Sequence, residues 1–274
     1  MKMTVFADLA FARRLELHEG YGIATSIATL TRLHPHVGGA VERIAGAYAI
    51  YAEHDPPISR AIGLGMNGPL TAADVEQVEE FYRSRRMPSQ IDLCPLADAS
   101  LKELLNERGY GLHEFNNVWF QTLADYRATE TPAAGVSVRE ADASDADAWI
   151  QSVSRGYAGR DDALMTAELR IATVFFHEPE TRCFLSLVDG EPAGGGAMFI
   201  HEGLAAFFSG STIPAMRGRG AQTALLHARL RAAREAGCDL ALIKTAPGNA
   251  SQRNVQRAGF RLAYTKVTMR REWA

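Results

Sequence analysis

Apolar side chains recur along this chain with two different periods, and the switches between them lay out its elements. Residues 8–35, DLAFARRLELHEGYGIATSIATLTRLHP, hold apolar positions at helical spacing with a break at Gly20–Gly22, which predicts one or two helices. AVERIAGAYAIYAEHDPP reads as a strand ended by Pro56-Pro57, and SRAIGLGMNGP as another that closes on Asn67-Gly68-Pro69. Thr71 stands as the N-cap of a helix with Val75, Val78 and Tyr82 on one face. A short strand, SQIDLCP, a helix ending at Gly109, ASLKELLNERGY, and a strand, LHEFNNVWFQTL, follow.

Residues 124–135, ADYRATETPAAG, lose this periodicity and gather Thr, Pro, Ala and Gly, the composition of a linker. The expected organisation is a domain over 1–125, a linker over 126–135 and a domain over 136–274. The second domain opens with a strand, VSVREA, a helix capped by Ser144 or Asp145, SDADAWIQSVSRGY, and a further helix, DALMTAELRIATVFF. RCFLSLVDGEPAGGGAMFIH predicts two strands around an Asp189-Gly190 hairpin turn, and LAAFFSGSTI a third strand. A helix ending at Gly237, a strand DLALIKTAP, a helix NASQRNVQRAG and a closing strand FRLAYTKVTMRRE complete the pattern. Both halves end on Pro, a short polar turn, Ala-Ser, a helix, Gly with an aromatic, and a strand, which points to duplication.

Composition narrows the function classes. The 274 residues are 47% hydrophobic and 22% charged, as in a globular protein, and the net charge of −3 gives no global basic field for nucleic acid or an anionic membrane. Cys94, Cys183 and Cys238 lie far apart without disulfide or zinc spacing, so a reducing compartment and no metal are expected. The first twenty residues interrupt their apolar pattern with charges, unlike a signal peptide, and no run of about 18 apolar residues exists to span a bilayer. A cytoplasmic protein is the expectation.

AMRGRGAQTALL, residues 215–226, sets two glycines and two arginines directly before a helix. Glycine permits close backbone approach, arginine favours anions, and a helix N-terminus offers unpaired N–H groups, so the stretch reads as a phosphate seat. A Walker A loop and a dinucleotide fingerprint both fail: Gly-Lys-Ser/Thr is missing, and Gly218-Arg219-Gly220 has no third glycine.

The order strand, STIPAMRGRGAQTALL, helix, strand, GNASQRNVQRAGF resembles the GNAT superfamily of N-acetyltransferases over about residues 136–270. In that family a loop Arg/Gln-x-x-Gly-x-Gly/Ala wraps the pyrophosphate of acetyl-CoA. Arg217, Gly218, Arg219 and Gly220 match it, and Gln222 stands where Gly or Ala is usual. The resemblance implies a mixed α/β (α+β) fold of two tandem GNAT-like domains, each with a mostly antiparallel sheet flanked by helices. It also implies acetyl-CoA as co-substrate, bound by Gly210, Ser211, Thr212, Arg217, Gly218, Arg219, Gly220, Ala221, Gln222 and Thr223. Asn249, Ser251 and Asn254 are then the polar contacts along the pantetheine arm. Backbone N–H groups at Gly210–Thr212 would hold the thioester carbonyl, with a bulge expected at Gly210.

Where the family places a tyrosine acid this chain has Val255, which leaves Ser251 and Tyr264 as catalytic candidates. The base is unassigned: Lys244 occupies a strand that supplies it in relatives, and Glu168, His177, Glu178, His201 and Glu202 lie on segments able to border an acceptor pocket. In the first half the corresponding loop carries Asn67-Gly68-Pro69 followed by Asp74, Glu76, Glu79 and Glu80, which repel phosphate, so that copy is expected to be degenerate. The expected activity is acetyl transfer from acetyl-CoA to a primary amine of a small molecule, by a monomer or homodimer without nucleic-acid or membrane partners. A non-catalytic acyl-CoA-binding or sensing protein and a protein N-acetyltransferase are the two alternatives.

Overall fold

The computed structural model describes residues 6–53, 58–124, 126–127, 131–160 and 166–273, the side chains of 166–168 excepted. Helix α1 (Leu9–Leu33) is one uninterrupted helix capped by Asp8; the predicted break at Gly20–Gly22 does not occur, because Gly20 lets the ring of Tyr48 lie against the helix. Strands β1 (Gly39–Ile44) and β2 (Ala47–Ala52) form a hairpin where one strand was predicted, turned by Ala45 and Gly46 at positive φ. SRAIGLGMNGP keeps only β3 (Ala61–Ile62) as strand. Then come α2 (Ala72–Arg83), β4 (Ser89–Leu93), α3 (Ala99–Glu107) and β5 (Gly111–Thr122).

The second half runs β6 (Val136–Glu140), α4 (Ala146–Ala158), α5 (Thr166–Phe176), β7 (Thr181–Val188), β8 (Glu191–His201) and β9 (Leu204–Thr212). It ends with α6 (Ala221–Glu235), β10 (Leu240–Thr245), α7 (Ala250–Arg257) and β11 (Arg261–Arg271). Asp142 caps the short 3-10 turn ahead of α4, whereas Asp145 begins α4 without a side-chain cap bond. The sequence β–β–β–α–β–α–β occurs once from β1 to β5 and again from β7 to β11, as the repeated ending predicted.

Contacts divide the chain into two compact units, residues 1–118 with 262–274, and residues 119–261. In the first the strand order is β1-β2-β3-β4-β11-β5; in the second it is β5-β10-β9-β8-β7-β6, mostly antiparallel with β9 and β10 parallel. The expected domain limits of 1–125 and 136–274 therefore give way to an exchange of closing strands. β11 pairs with β4 from Val267↔Leu93 to Arg271↔Ser89, while the end of β5 joins the second unit, where Trp119 Nε1 donates to Thr245 Oγ1 at 2.9 Å. Side-chain chemistry enforces the exchange: fully buried Lys266 on β11 finds Glu16, Glu19 and Asp92 within 3.1 Å. The predicted linker is also anchored, for Tyr126 is buried and its hydroxyl lies 3.0 Å from His227 Nδ1.

The first unit has its core around Val75, Val78, Tyr82, Ile91 and Leu101. The second has apolar clusters on either side of its sheet, one of Phe207, Leu225, Leu226 and Leu230 toward α6, the other of Trp149, Val153, Leu185 and Ala197 toward α4. The three cysteines are buried thiols, and no described helix is long and apolar enough to cross a membrane.

Candidate active site

The decisive local irregularity lies near the end of β9. Phe208 faces Ala197 on β8 and Ser211 faces Gly195, so Ser209 and Gly210 together oppose Gly196 in a β-bulge. The bulge expected at Gly210 is therefore present, and within it the left-handed residue is Ser209, at φ 51°. Gly210 is needed for space instead: a Cβ there would lie 2.9 Å from Gln222 Nε2 and 3.2 Å from Arg229 Nη2. On its other edge, the parallel register of β9 with β10 ends at Phe207↔Ile243, just before the bulge.

β9 leads through a 3-10 turn, Pro214–Met216, into the glycine-arginine loop. Gly218 and Gly220 both take positive φ, 78° and 92°, which explains the requirement for glycine. Gly220 is the N-cap of α6, no side chain caps it, and the helix bonding resumes only with Ala224 N–H donating to Gly220. The backbone amides from Gly218 to Thr223 have no hydrogen-bond partner among the described residues. They collect the partial positive charge of the helix end at one place.

The two arginines have other occupations in addition. Arg217 donates from Nε to the Thr212 carbonyl at 3.2 Å and from Nη2 to that of Gly156 at 3.0 Å, fastening the loop to β9 and α4. Arg219 Nη2 meets Asp189 Oδ2 of the β7–β8 turn at 2.5 Å in an exposed pair. Beneath the loop α4 approaches at backbone distance: a Cβ on Gly156 would stand 2.6 Å from Ser211 Oγ, which donates to the Val153 carbonyl at 3.0 Å. Gln222, in the position usual for Gly or Ala, accepts from Thr212 Oγ1 at 3.4 Å, so its side chain crosses from α6 to β9. Tyr157, at the end of α4, is 63% exposed, yet surrounding protein pushes its phenol upward while the Arg229 cation draws it down.

Of the pantetheine candidates, Asn249 caps α7, its side chain accepting from Gln252 N at 2.8 Å, and Ser251 and Asn254 are half-buried on that helix. Val255 is packed in the core with Phe207 and Phe260. Tyr264 is occupied within the first unit: its buried hydroxyl donates to Glu16 Oε1 at 2.8 Å, and burial with the Glu16 charge raises its pKa well above the ordinary value. It is a structural member of the charge cluster around Lys266, and Ser251 is left as the polar side chain on α7 in the neighbourhood of the acid position.

The acceptor-pocket candidates divide similarly. His201 and Glu202 lie at the β8–β9 turn, and His177 and Glu178 just before β7, whose Thr181 pairs with Phe199. All four therefore mark the end of the sheet opposite the loop, roughly 20 Å along β9 from the bulge. Glu168 lies outside the described side chains.

In the first half the start of α2 is capped by side chains among the described residues. At the start of α2, Thr71 and Asp74 form a reciprocal capping box, and the Leu70 amide donates to Ser100 Oγ at 2.9 Å. Glu79, expected as a repelling surface charge, is buried instead and meets Arg108 and Arg271 at 2.7 Å each. Sequence reasoning missed Arg229, whose signal was a charge inside the apolar row Leu225, Leu226, Leu230 and Ala233 of α6. It also missed what Gly194-Gly195-Gly196 on β8 signals, a close approach by neighbouring groups.

Comparison with known proteins agrees with this geometry. Residues 144–260 match the acetyltransferase (GNAT) family. Among solved structures, a GCN5-related N-acetyltransferase from Kribbella flavida superposes with TM-score 0.66 at 21% identity, over 93% of this chain and 96% of that one. One from Sphaerobacter thermophilus gives 0.61 at 19% identity, over 85% and 76%, and a tandem GNAT protein from the clavulanic acid biosynthesis pathway gives 0.57 at 15%, over 82% and 77%. No curated protein matches the sequence significantly. Residues 144–260 therefore carry an acetyltransferase domain of the GNAT family.

Proposed function

We propose that the second half binds acetyl-CoA and transfers its acetyl group to a primary amine of a small molecule. The observation that carries this reading is the uncapped N-terminus of α6, with partnerless amides from Gly218 to Thr223 next to a bulge where β9 and β10 cease to pair. Those amides suit the diphosphate, Arg219 adds charge at the rim, and the separating strands leave an edge for the pantetheine arm. The amine nitrogen forms a bond to the thioester carbon while the π pair moves to oxygen, which backbone N–H groups of the bulge stabilise. Collapse breaks the C–S bond; the thiolate takes a proton from Ser251 or water, and the amine releases its proton to water.

The capped, acid-rich start of α2 supports a single site per chain. A second reading, an acyl-CoA-binding protein without turnover, is favoured by Val255 at the acid position and by the engagement of Tyr264 with Glu16. Calorimetric titration with acetyl-CoA, followed by thiol release with a panel of small amines, tests both. One equivalent bound with amine-dependent thiol release is the expected result. Binding without turnover selects the second reading, and no binding overturns both.

A further inference from the structure

Arg229 sits on α6 seven residues after Gln222, on the face turned to the sheet, and is fully buried. Its Nε donates to the Leu225 carbonyl at 3.2 Å, and its Nη1 to Ala197 on β8 at 3.1 Å and Phe208 on β9 at 3.2 Å. Ala197 and Phe208 are the last cross-strand pair before the bulge. Nη2 has no partner among the described residues, and two glycines make room for the group: a Cβ on Gly196 would lie 2.9 Å from Cζ, and one on Gly210 3.2 Å from Nη2. No carboxylate pairs with this guanidinium among the described residues; the ring of Phe207 lies 5.0 Å from Cζ. Burial pushes its pKa down to about 10, which still leaves it charged at neutral pH.

A buried cation without a counter-ion is strongly unfavourable, and an apolar side chain would fill the place at less cost. What the cation does supply is local. A donor on the Phe208 carbonyl polarises the peptide group that ends in the Ser209 N–H, which strengthens that N–H as a donor. The clamp across β8 and β9 also holds the bulge in its left-handed turn.

Resting on the acetyl-CoA reading above, we propose that Arg229 is a positioning residue for acyl transfer. It fixes and polarises the bulge amides at which the thioester carbonyl oxygen gains negative charge. It acts through the backbone and touches neither the phosphates nor the amine.

The test compares CoA, which lacks the carbonyl, with [1-13C]acetyl-CoA in the wild type, Arg229→Met and Arg229→Lys. Calorimetry gives the affinities, and the carbonyl 13C resonance of bound acetyl-CoA reports polarisation. In the wild type that resonance should lie downfield of free acetyl-CoA; in Arg229→Met it should return to the free value, with CoA affinity kept within about twofold. An unchanged resonance overturns the proposal, as does an equal loss of CoA and acetyl-CoA binding, which marks a purely structural role. If Arg229→Met fails to fold, Arg229→Lys decides: a reduced shift at unaltered CoA affinity supports the proposal, and an unaltered shift overturns it. A wild type that binds neither molecule overturns the acetyl-CoA reading together with this inference, whereas normal wild-type binding with an unresponsive Arg229→Met overturns this inference alone.

Discussion

Replacing Lys266 by Met would remove the one ammonium group that three buried carboxylates share. Lys266 Nζ lies 3.1 Å from Glu16, 2.9 Å from Glu19 and 2.9 Å from Asp92, with the lysine itself inaccessible to solvent. At an effective dielectric constant of about 20, each pair attracts by roughly 5–6 kcal/mol, most of it offset by the desolvation of the ions. Removal of one partner from such a group costs about 3–5 kcal/mol, because the remaining charges stay buried. Arg60, 3.5 Å from Asp92, and the Tyr264 hydroxyl on Glu16 remain to moderate the loss. Urea unfolding at pH 7 should show that loss.

The pH dependence provides a second check on the same variant. Burial raises the Glu16 pKa, and Lys266 is the chief opposing influence, so the Tyr264 hydroxyl alone would leave it higher still. A group with a raised folded-state pKa contributes its full stability below its unfolded pKa, about 4.3 for Glu, and loses it as pH rises through the folded value. The Lys266→Met deficit should therefore shrink between pH 7 and pH 5, as protonated carboxyls need no cation. A deficit below about 1 kcal/mol, or one that is the same at both pH values, would refute the reasoning.

Arg219→Ala removes an exposed pair with Asp189, so fold stability should change by less than about 1 kcal/mol while CoA affinity falls roughly five- to tenfold. Unaltered CoA binding in calorimetry would exclude Arg219 from the phosphate seat. Asp189→Asn frees the same guanidinium and should tighten CoA binding a few-fold; weaker binding would mean that Asp189 orients Arg219 for the ligand. Thr71→Ala breaks the capping box of α2 and should lower stability by about 1 kcal/mol, which a chemical-denaturation midpoint equal to that of the wild type would contradict.

Local signals were legible where a residue acts on its own neighbours. Thr71 capped α2, Asp189-Gly190 turned β7 into β8, and Gly218 and Gly220 took the positive φ that their positions before α6 implied. The Ala45–Gly46 turn was missed, since AVERIAGAYAIYA is apolar enough to pass as one strand. Gly20–Gly22 misled for the opposite reason: glycine weakens a helix in isolation, but Tyr48 packs against Gly20 and tertiary contact outweighs that preference.

By itself, then, the sequence determined the order of elements apart from the β1–β2 hairpin, the repeat and the glycine turns before α6, all of which depend on spacing and on conformations that only particular residues adopt. Tertiary structure alone decided which half receives each closing strand, because β11 reads as an ordinary strand until Lys266 meets Glu16, Glu19 and Asp92 across more than 170 positions of sequence. It likewise decided that Arg217 holds backbone carbonyls, that Tyr264 is occupied by Glu16, and that Arg229 lies behind the bulge. A charge's partner is set by distance in space, and local sequence carries no record of that distance.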